Sequence, residues 1–203
     1  MSLIRYMALS WGRLPFEGST GAETNWLHVA DLRVTSGKVW IGDPQFSWAE
    51  ANEGEGCIVD VPEGDYIVEA KGISYCKPQW LRGWRYVSRV RVRLKSSKKP
   101  RQGESIEEAG TDSGLIGVAD PIALKSAFDE VCGADVNQAL AMLDRGVRGR
   151  IGKFEPHRGG AGKLVYLPSG FGDGEGPVYE LLEGDEPVGL EHEIIPAVAA
   201  FEG

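Results

Sequence analysis

Residues Ser36-Gly37-Lys38-Val39-Trp40-Ile41-Gly42-Asp43-Pro44 return 77 positions later, without a gap, as Ser113-Gly114-Leu115-Ile116-Gly117-Val118-Ala119-Asp120-Pro121. Each copy reads as a turn, a short strand with apolar residues at alternate positions, and a second turn or helix start. A chain that carries one such unit twice is restricted to folds that can use it twice. A second match follows in the same order. Val61-Pro62-Glu63-Gly64-Asp65 leads into Tyr66-Ile67-Val68-Glu69, and Leu167-Pro168-Ser169-Gly170-Phe171-Gly172-Asp173 leads toward Val178-Tyr179-Glu180-Leu181. The second interval is longer by roughly the length of the segment 121–146, whose apolar residues recur at helical spacing. The expected architecture is predominantly β (α+β by count). Two related β-rich halves, 4–101 and 102–201, form one sandwich- or barrel-like body, with a helical pair near 121–145.

Local patterns place the strands. Trp26–Val34 reads as a strand entering the Ser36-Gly37 turn, and Val39 and Ile41 share one face of the next, because side chains alternate in β structure. Cys57–Val61 and Tyr66–Ala70 flank Pro62-Glu63-Gly64-Asp65 and read as a β-hairpin. Residues 49–70 hold seven acids and no Lys or Arg, whereas residues 82–101 hold nine basic residues and no acid. Within the basic run, Arg89-Val90-Arg91-Val92-Arg93-Leu94-Lys95 alternates strictly, with Val90, Val92 and Leu94 inward and four cations outward. Asp120-Pro121 suits a helix start, and residues 124–132 and 136–143 follow with helical spacing. Lys163–Leu167 reads as a strand. Pro177–Glu183 and Pro187–Ile195 form the last strands around Gly184-Asp185.

Composition narrows the function classes. A formal net charge of −8 argues against a general nucleic-acid binder, which shows a basic footprint. No apolar run reaches the roughly 18–20 residues of a membrane span, and the opening residues lack the apolar core of a signal peptide. The three cysteines, Cys57, Cys76 and Cys132, lack metal-ligand spacing and fit free thiols in a reducing compartment. A cytoplasmic location is expected, with no metal and no cofactor.

Several catalytic patterns are missing. There is no Gly-x-Ser-x-Gly elbow, and His28, His157 and His192 are too scattered for a zinc site. Gly159-Gly160-Ala161-Gly162-Lys163 imitates a phosphate loop, but His157 stands where its first Gly belongs and Leu164 where Ser or Thr would hold Mg²⁺. Three candidate sites remain. Asp43 and Asp120, with Asp173 and Arg89, form a catalytic set if the halves bring the carboxylates together, although Asp before Pro also serves as a cap or turn residue. Ser169, Gly170, Gly172, Asp173, Gly174 and Tyr179 make a ligand-binding loop whose glycines permit close backbone approach. Arg89, Arg91, Arg93 and Lys95 make an interaction surface for an acidic partner, or else pair across strands with the acidic segment 57–69. Glu191-His192-Glu193 reads as an exposed strand end, its acids on one face and His192 on the other.

These segments resemble a family of bacterial proteins of unknown function. The shared pattern is a Ser-Gly and Asp-Pro segment (36–44), a Val-Pro-x-Gly-x-Tyr-x-Val segment (61–68), an Arg-bearing strand (85–93), an Asp-Ser-Gly segment (112–121) and a late Ser-Gly-Phe-Gly-Asp-Gly-x-Tyr-Pro-Val-Tyr motif (169–179). Gly176 stands where the late motif has its first Tyr. The resemblance implies architecture more than activity. The function expected is that of a non-catalytic binding or interaction protein, of the kind that neutralises a toxin or regulates a partner. The alternatives are a hydrolase or lyase using the carboxylates, and a small-ligand binder at the Gly-rich loop.

Overall fold

A computed structural model of the chain describes residues 21–23, 25–44, 56–75, 85–124, 152–154, 164–168 and 174–194. Among them are twelve strands, β1 (Gly21–Glu23), β2 (Leu27–Val34), β3 (Lys38–Gly42), β4 (Gly56–Asp60), β5 (Gly64–Tyr75), β6 (Arg85–Leu94), β7 (Arg101–Thr111), β8 (Leu115–Ala119), β9 (Gly152–Phe154), β10 (Leu164–Pro168), β11 (Gly174–Glu183) and β12 (Glu186–Glu193). They form two antiparallel sheets that do not close into a barrel. In the seven-stranded sheet β1 and β2 share one edge of β5, and β6, β12, β11 and β7 follow in that order. The five-stranded sheet runs β4-β3-β8-β10-β9.

The alternation read from the sequence sets the core. Leu32, Val34, Tyr66, Val68, Val90, Val92, Val178 and Leu190 project from the larger sheet, and Val39, Ile41, Cys57, Val59, Ile116, Val118, Val165 and Leu167 from the smaller, into one cluster. β8 is buried at all five positions, so it has apolar neighbours on both faces, as β strands with near-continuous apolar runs do. On the far face of the smaller sheet Trp40, Leu115, Leu164 and Tyr166 make a second buried layer.

Cys57–Val61 and Tyr66–Ala70 do not form a hairpin. β4 lies in the smaller sheet and β5 in the larger, and the chain crosses between them at Val61-Pro62-Glu63. The inward faces of both runs must be covered by each other rather than continue side by side. Tyr66, fully buried, donates its hydroxyl to the Pro62 carbonyl at 2.6 Å and pins this corner. β7 has no counterpart in the sequence reading. It is an edge strand on which only Ala109 and Thr111 are buried, so it carries no apolar period to read. The Gly184-Asp185 connection does make a hairpin between β11 and β12, with Gly184 at φ 67°. Of the expected helical pair only the turn 121–124 is described, and the rest lies outside the described residues.

The two copies of the opening motif lie side by side. β3 and β8 pair antiparallel through Trp40↔Ala119, Ile41↔Val118 and Gly42↔Gly117. Ile41 and Val118 are the same position of the motif, so an approximate twofold axis passes between them. The same axis organises the larger sheet. β2 meets β5 through Val34↔Gly64 and Ala30↔Val68, and β7 meets β11 through Thr111↔Gly174 and Glu107↔Val178. β5 meets β6 through Val68↔Val92, and β11 meets β12 through Val178↔His192. His192 therefore occupies the place of Val92, and Glu191 that of Arg91. The two central strands then pair Arg91↔Glu191, again a position with its own counterpart.

Candidate functional site

The two aspartates of the motif serve the fold. The Asp120 Oδ2 atom accepts from the backbone N–H of Thr35 at 2.7 Å and of Ser36 at 2.9 Å, and from the Thr35 hydroxyl at 3.2 Å. Its Oδ1 accepts from the N–H of Ile122 and of Ala123, an N-cap arrangement. Asp43 repeats the contact across the axis. Its Oδ2 accepts from the N–H of Asp112 at 2.9 Å and of Ser113 at 2.6 Å, and from Thr111 Oγ1, while Oδ1 accepts from Ser113 Oγ. Each copy's Asp thus holds the other copy's Ser-Gly turn. Both turns need a glycine, with Gly37 at φ 69° and Gly114 at φ 75°, a region L-residues with a Cβ seldom adopt. Burial would push the Asp120 carboxyl up, but the Thr35, Ser36 and Ala123 donors outweigh it and hold it below the usual range.

This placement corrects the carboxylate-cluster expectation. Asp43 follows Gly42, and Asp120 follows Ala119 on the antiparallel neighbour, so they sit four residues apart in register, about 13 Å at ~3.3 Å per residue. That exceeds the ~10 Å over which two carboxylates can flank one bond. Arg89 belongs to the other sheet, and Asp173 lies outside the described residues. Of the Gly-rich loop, Ser169, Gly170 and Gly172 also lie outside them. Gly174 opens β11 opposite Thr111, and Tyr179 pairs with Glu191.

The charged strand builds the most elaborate polar arrangement. Arg89, Arg91 and Arg93 project from β6 on the face opposite Val90 and Val92. Arg91 Nε donates to Glu69 Oε2 at 2.7 Å, and Arg93 Nε to the same oxygen at 2.8 Å. Arg93 also donates from Nη1 to the Ser97 carbonyl. Arg89 reaches the other way, to Glu191 at 2.8 Å and Glu193 at 2.6 Å. The side chains of these six residues are 7–16% exposed. Burial alone would raise the Glu69 carboxyl, but the Arg93 and Arg91 hydrogen bonds bring it below its ordinary value. Trp26 lies against this face, its ring centroid 4.1 Å from Arg91 Cζ and 5.1 Å from Lys71 Nζ, within cation–π range. Lys95 stands apart, exposed and bridged to Asp31 at 3.0 Å.

Cross-strand pairing with the acidic segment is therefore observed at Glu69, but Arg89 takes its carboxylates from β12, which the sequence reading did not connect to it. Glu191-His192-Glu193 is no exposed strand end. β12 is central, Glu191 and Glu193 complete the charged face, and His192 is buried in the core. The signal that could have joined them is the matched period of two: Glu191 and Glu193 at the spacing of Arg89, Arg91 and Arg93. Trp26 carried no such signal. Cys57 is buried and its thiol is pushed up to about 12 by burial and by the Glu107 charge, which makes it a poor nucleophile.

Glu69→Gln measures what the face contributes to stability. The amide keeps the shape but removes the charge that two guanidiniums share, so a urea melt should show a loss of about 2 kcal/mol, the scale of charge-assisted hydrogen bonds. No measurable loss would mean that water and neighbouring carboxylates compensate.

The fold and this face together describe a two-sheet antiparallel sandwich with a charged ladder at its twofold axis. Comparison with family models, with curated proteins and with solved structures found no match. No helix among the described residues is long and apolar enough to cross a membrane.

Proposed function

We propose that the chain is a non-catalytic binding or interaction protein of the bacterial cytoplasm, built by internal duplication, of the kind that neutralises a toxin or regulates a partner. Its recognition face is the outer side of the central strands β6 and β12, and its partner is a segment rich in Asp or Glu. The carrying observation is Arg91. Among the described residues its guanidinium gives only Nε–H to a carboxylate, and its Cζ lies over the Trp26 ring at 4.1 Å from the centroid. A guanidinium with two more nitrogens to offer suits a bidentate carboxylate contact. Arg93 and Lys71 share its face, and Tyr179 lies two strands away beyond Glu191. The matching repeat, the twofold register and the reciprocal Asp contacts support the duplication.

Calorimetric titration with a hexaglutamate peptide, and with hexalysine as control, tests the reading. Hexaglutamate should bind and hexalysine should not, with affinity falling as salt rises. Arg91→Gln, which keeps polarity without the charge, should weaken hexaglutamate about tenfold or more, the ~1.4 kcal/mol scale of one charge-assisted contact. Equal affinity for both peptides, or an unchanged affinity in Arg91→Gln, would make the ladder purely structural.

A further inference from the structure

We propose that the seam between the halves is a former homodimer interface that charge and shape have made heterologous, so that each half binds the other and rejects a copy of itself. This rests on the duplication above but not on the recognition face. An isologous interface places each position on its axis against its own counterpart. Here those positions are Ile41 with Val118 and Arg91 with Glu191.

Charge separates the halves at the second of them. Arg91 and Arg93 in the first half correspond to Glu191 and Glu193 in the second. In the observed pairing Arg91 faces Glu191, Arg89 faces Glu193, and Arg89 bridges both acids. Two first halves joined by the same register would set Arg91 against Arg91 and Arg89 against Arg93. Two second halves would set Glu191 against Glu191. Like charges directly opposite on neighbouring strands are destabilising, and such repulsion is how interfaces reject wrong partners.

Shape separates them independently in the smaller sheet. Trp40 and Gly117 are counterparts, and the Trp40 ring lies over Gly117. A Cβ on Gly117 would stand 3.0 Å from Trp40 Cζ3 and 3.2 Å from Cη2. Two first halves would bring Trp40 against Trp40, and two second halves would leave Gly117 facing Gly117 over a void. Overpacking and cavities are both unfavourable in a core. Only the observed combination puts one large and one absent side chain together.

The test uses the whole chain with a protease recognition sequence inserted between the exposed Lys98 and Lys99 and the following Pro100, in the β6–β7 connection. The protein is cleaved after folding, unfolded in urea, diluted back and weighed by native mass spectrometry. The expected product is a 1:1 complex of the two pieces, in at least tenfold excess over a dimer of either piece. Arg89→Glu in the cleaved protein should weaken reassembly at least tenfold, because Arg89 makes the ion pairs that cross the seam, and adding Glu193→Arg on the directly opposite position should recover most of it. Dimers of one piece as abundant as the mixed complex would overturn the proposal. So would pieces that stay together when cut but never reassemble, or a Glu193→Arg change that deepens the Arg89→Glu defect. Hexaglutamate binding plays no part in this readout, so the recognition face and the seam stand or fall separately.

Discussion

Asp120→Ala should lower the unfolding free energy by about 2–3 kcal/mol, the scale for losing hydrogen bonds to a charged acceptor together with an N-cap. Asp43→Ala should lower it by a similar amount. The reason is what each carboxylate leaves behind. Without Asp120, the N–H groups of Thr35, Ser36, Ile122 and Ala123 lose their acceptor. Without Asp43, those of Asp112 and Ser113 do, as do the Thr111 and Ser113 hydroxyls. A buried polar group left without a partner, as at Ala123 and Thr111, costs about 1–3 kcal/mol, whereas water can take over at the exposed Thr35, Ile122 and Asp112. The two sites are about 13 Å apart and share no donor, so their effects should add, and Asp43→Ala with Asp120→Ala should lose about twice what either loses alone. Urea denaturation of each single variant measures this. A loss below about 1 kcal/mol would mean that the Ser-Gly turns are self-supporting. Asp120 also adds a pH term. Its folded carboxyl lies below the unfolded value of 3.8, so its stabilisation is complete above that value and is lost as pH falls through the folded pKa.

Acidification should weaken the fold earlier than that, through His192. The imidazole is 2% exposed, and burial lowers its pKa from 6.5 to about 4, with the Pro177 carbonyl opposing. That carbonyl, 3.3 Å from Nδ1, can only accept, so the neutral ring carries its proton on Nδ1. Between pH 6.5 and 4 the unfolded chain binds a proton here that the folded chain refuses. Stability therefore falls with pH across this window and levels below it, by about 3 kcal/mol at ~1.4 kcal/mol per pH unit. Urea melts at half-unit intervals should show the slope, and His192→Gln should flatten it while retaining a donor for the Pro177 carbonyl. A wild-type slope that persists in His192→Gln would assign the titration elsewhere. Gly176 is the counterpart of Tyr66 by register, and a Cβ there would run into the Glu193 carbonyl oxygen, with His192 Cε1 at ordinary contact distance. The pair Tyr66 and Val92 in one half corresponds to Gly176 and His192 in the other, bulk exchanged between neighbours.

Much of the strand content was legible. Arg89–Lys95 alternates without exception, and its valines are buried as that pattern requires. The Ser36-Gly37 and Ser113-Gly114 turns hold their glycines at positive φ. β7 was not legible, because an edge strand packed on one side shows a polar sequence. The β4–β5 corner was misread, because Pro62-Glu63-Gly64-Asp65 serves a tight hairpin and a crossing between sheets equally well.

The sequence by itself determined which residues turn inward and where the chain must bend, since alternation and glycine act over a few residues. It also marked that one unit occurs twice. The tertiary structure decided the partners. Asp120 finds Thr35, Asp43 finds Ser113, and Arg89 finds Glu191, across 85, 70 and 102 positions of chain. A local pattern states that a side chain needs an acceptor or a counter-charge, but not which distant strand supplies it. Here the pairing of β3 with β8 and of β6 with β12 about one axis made that choice.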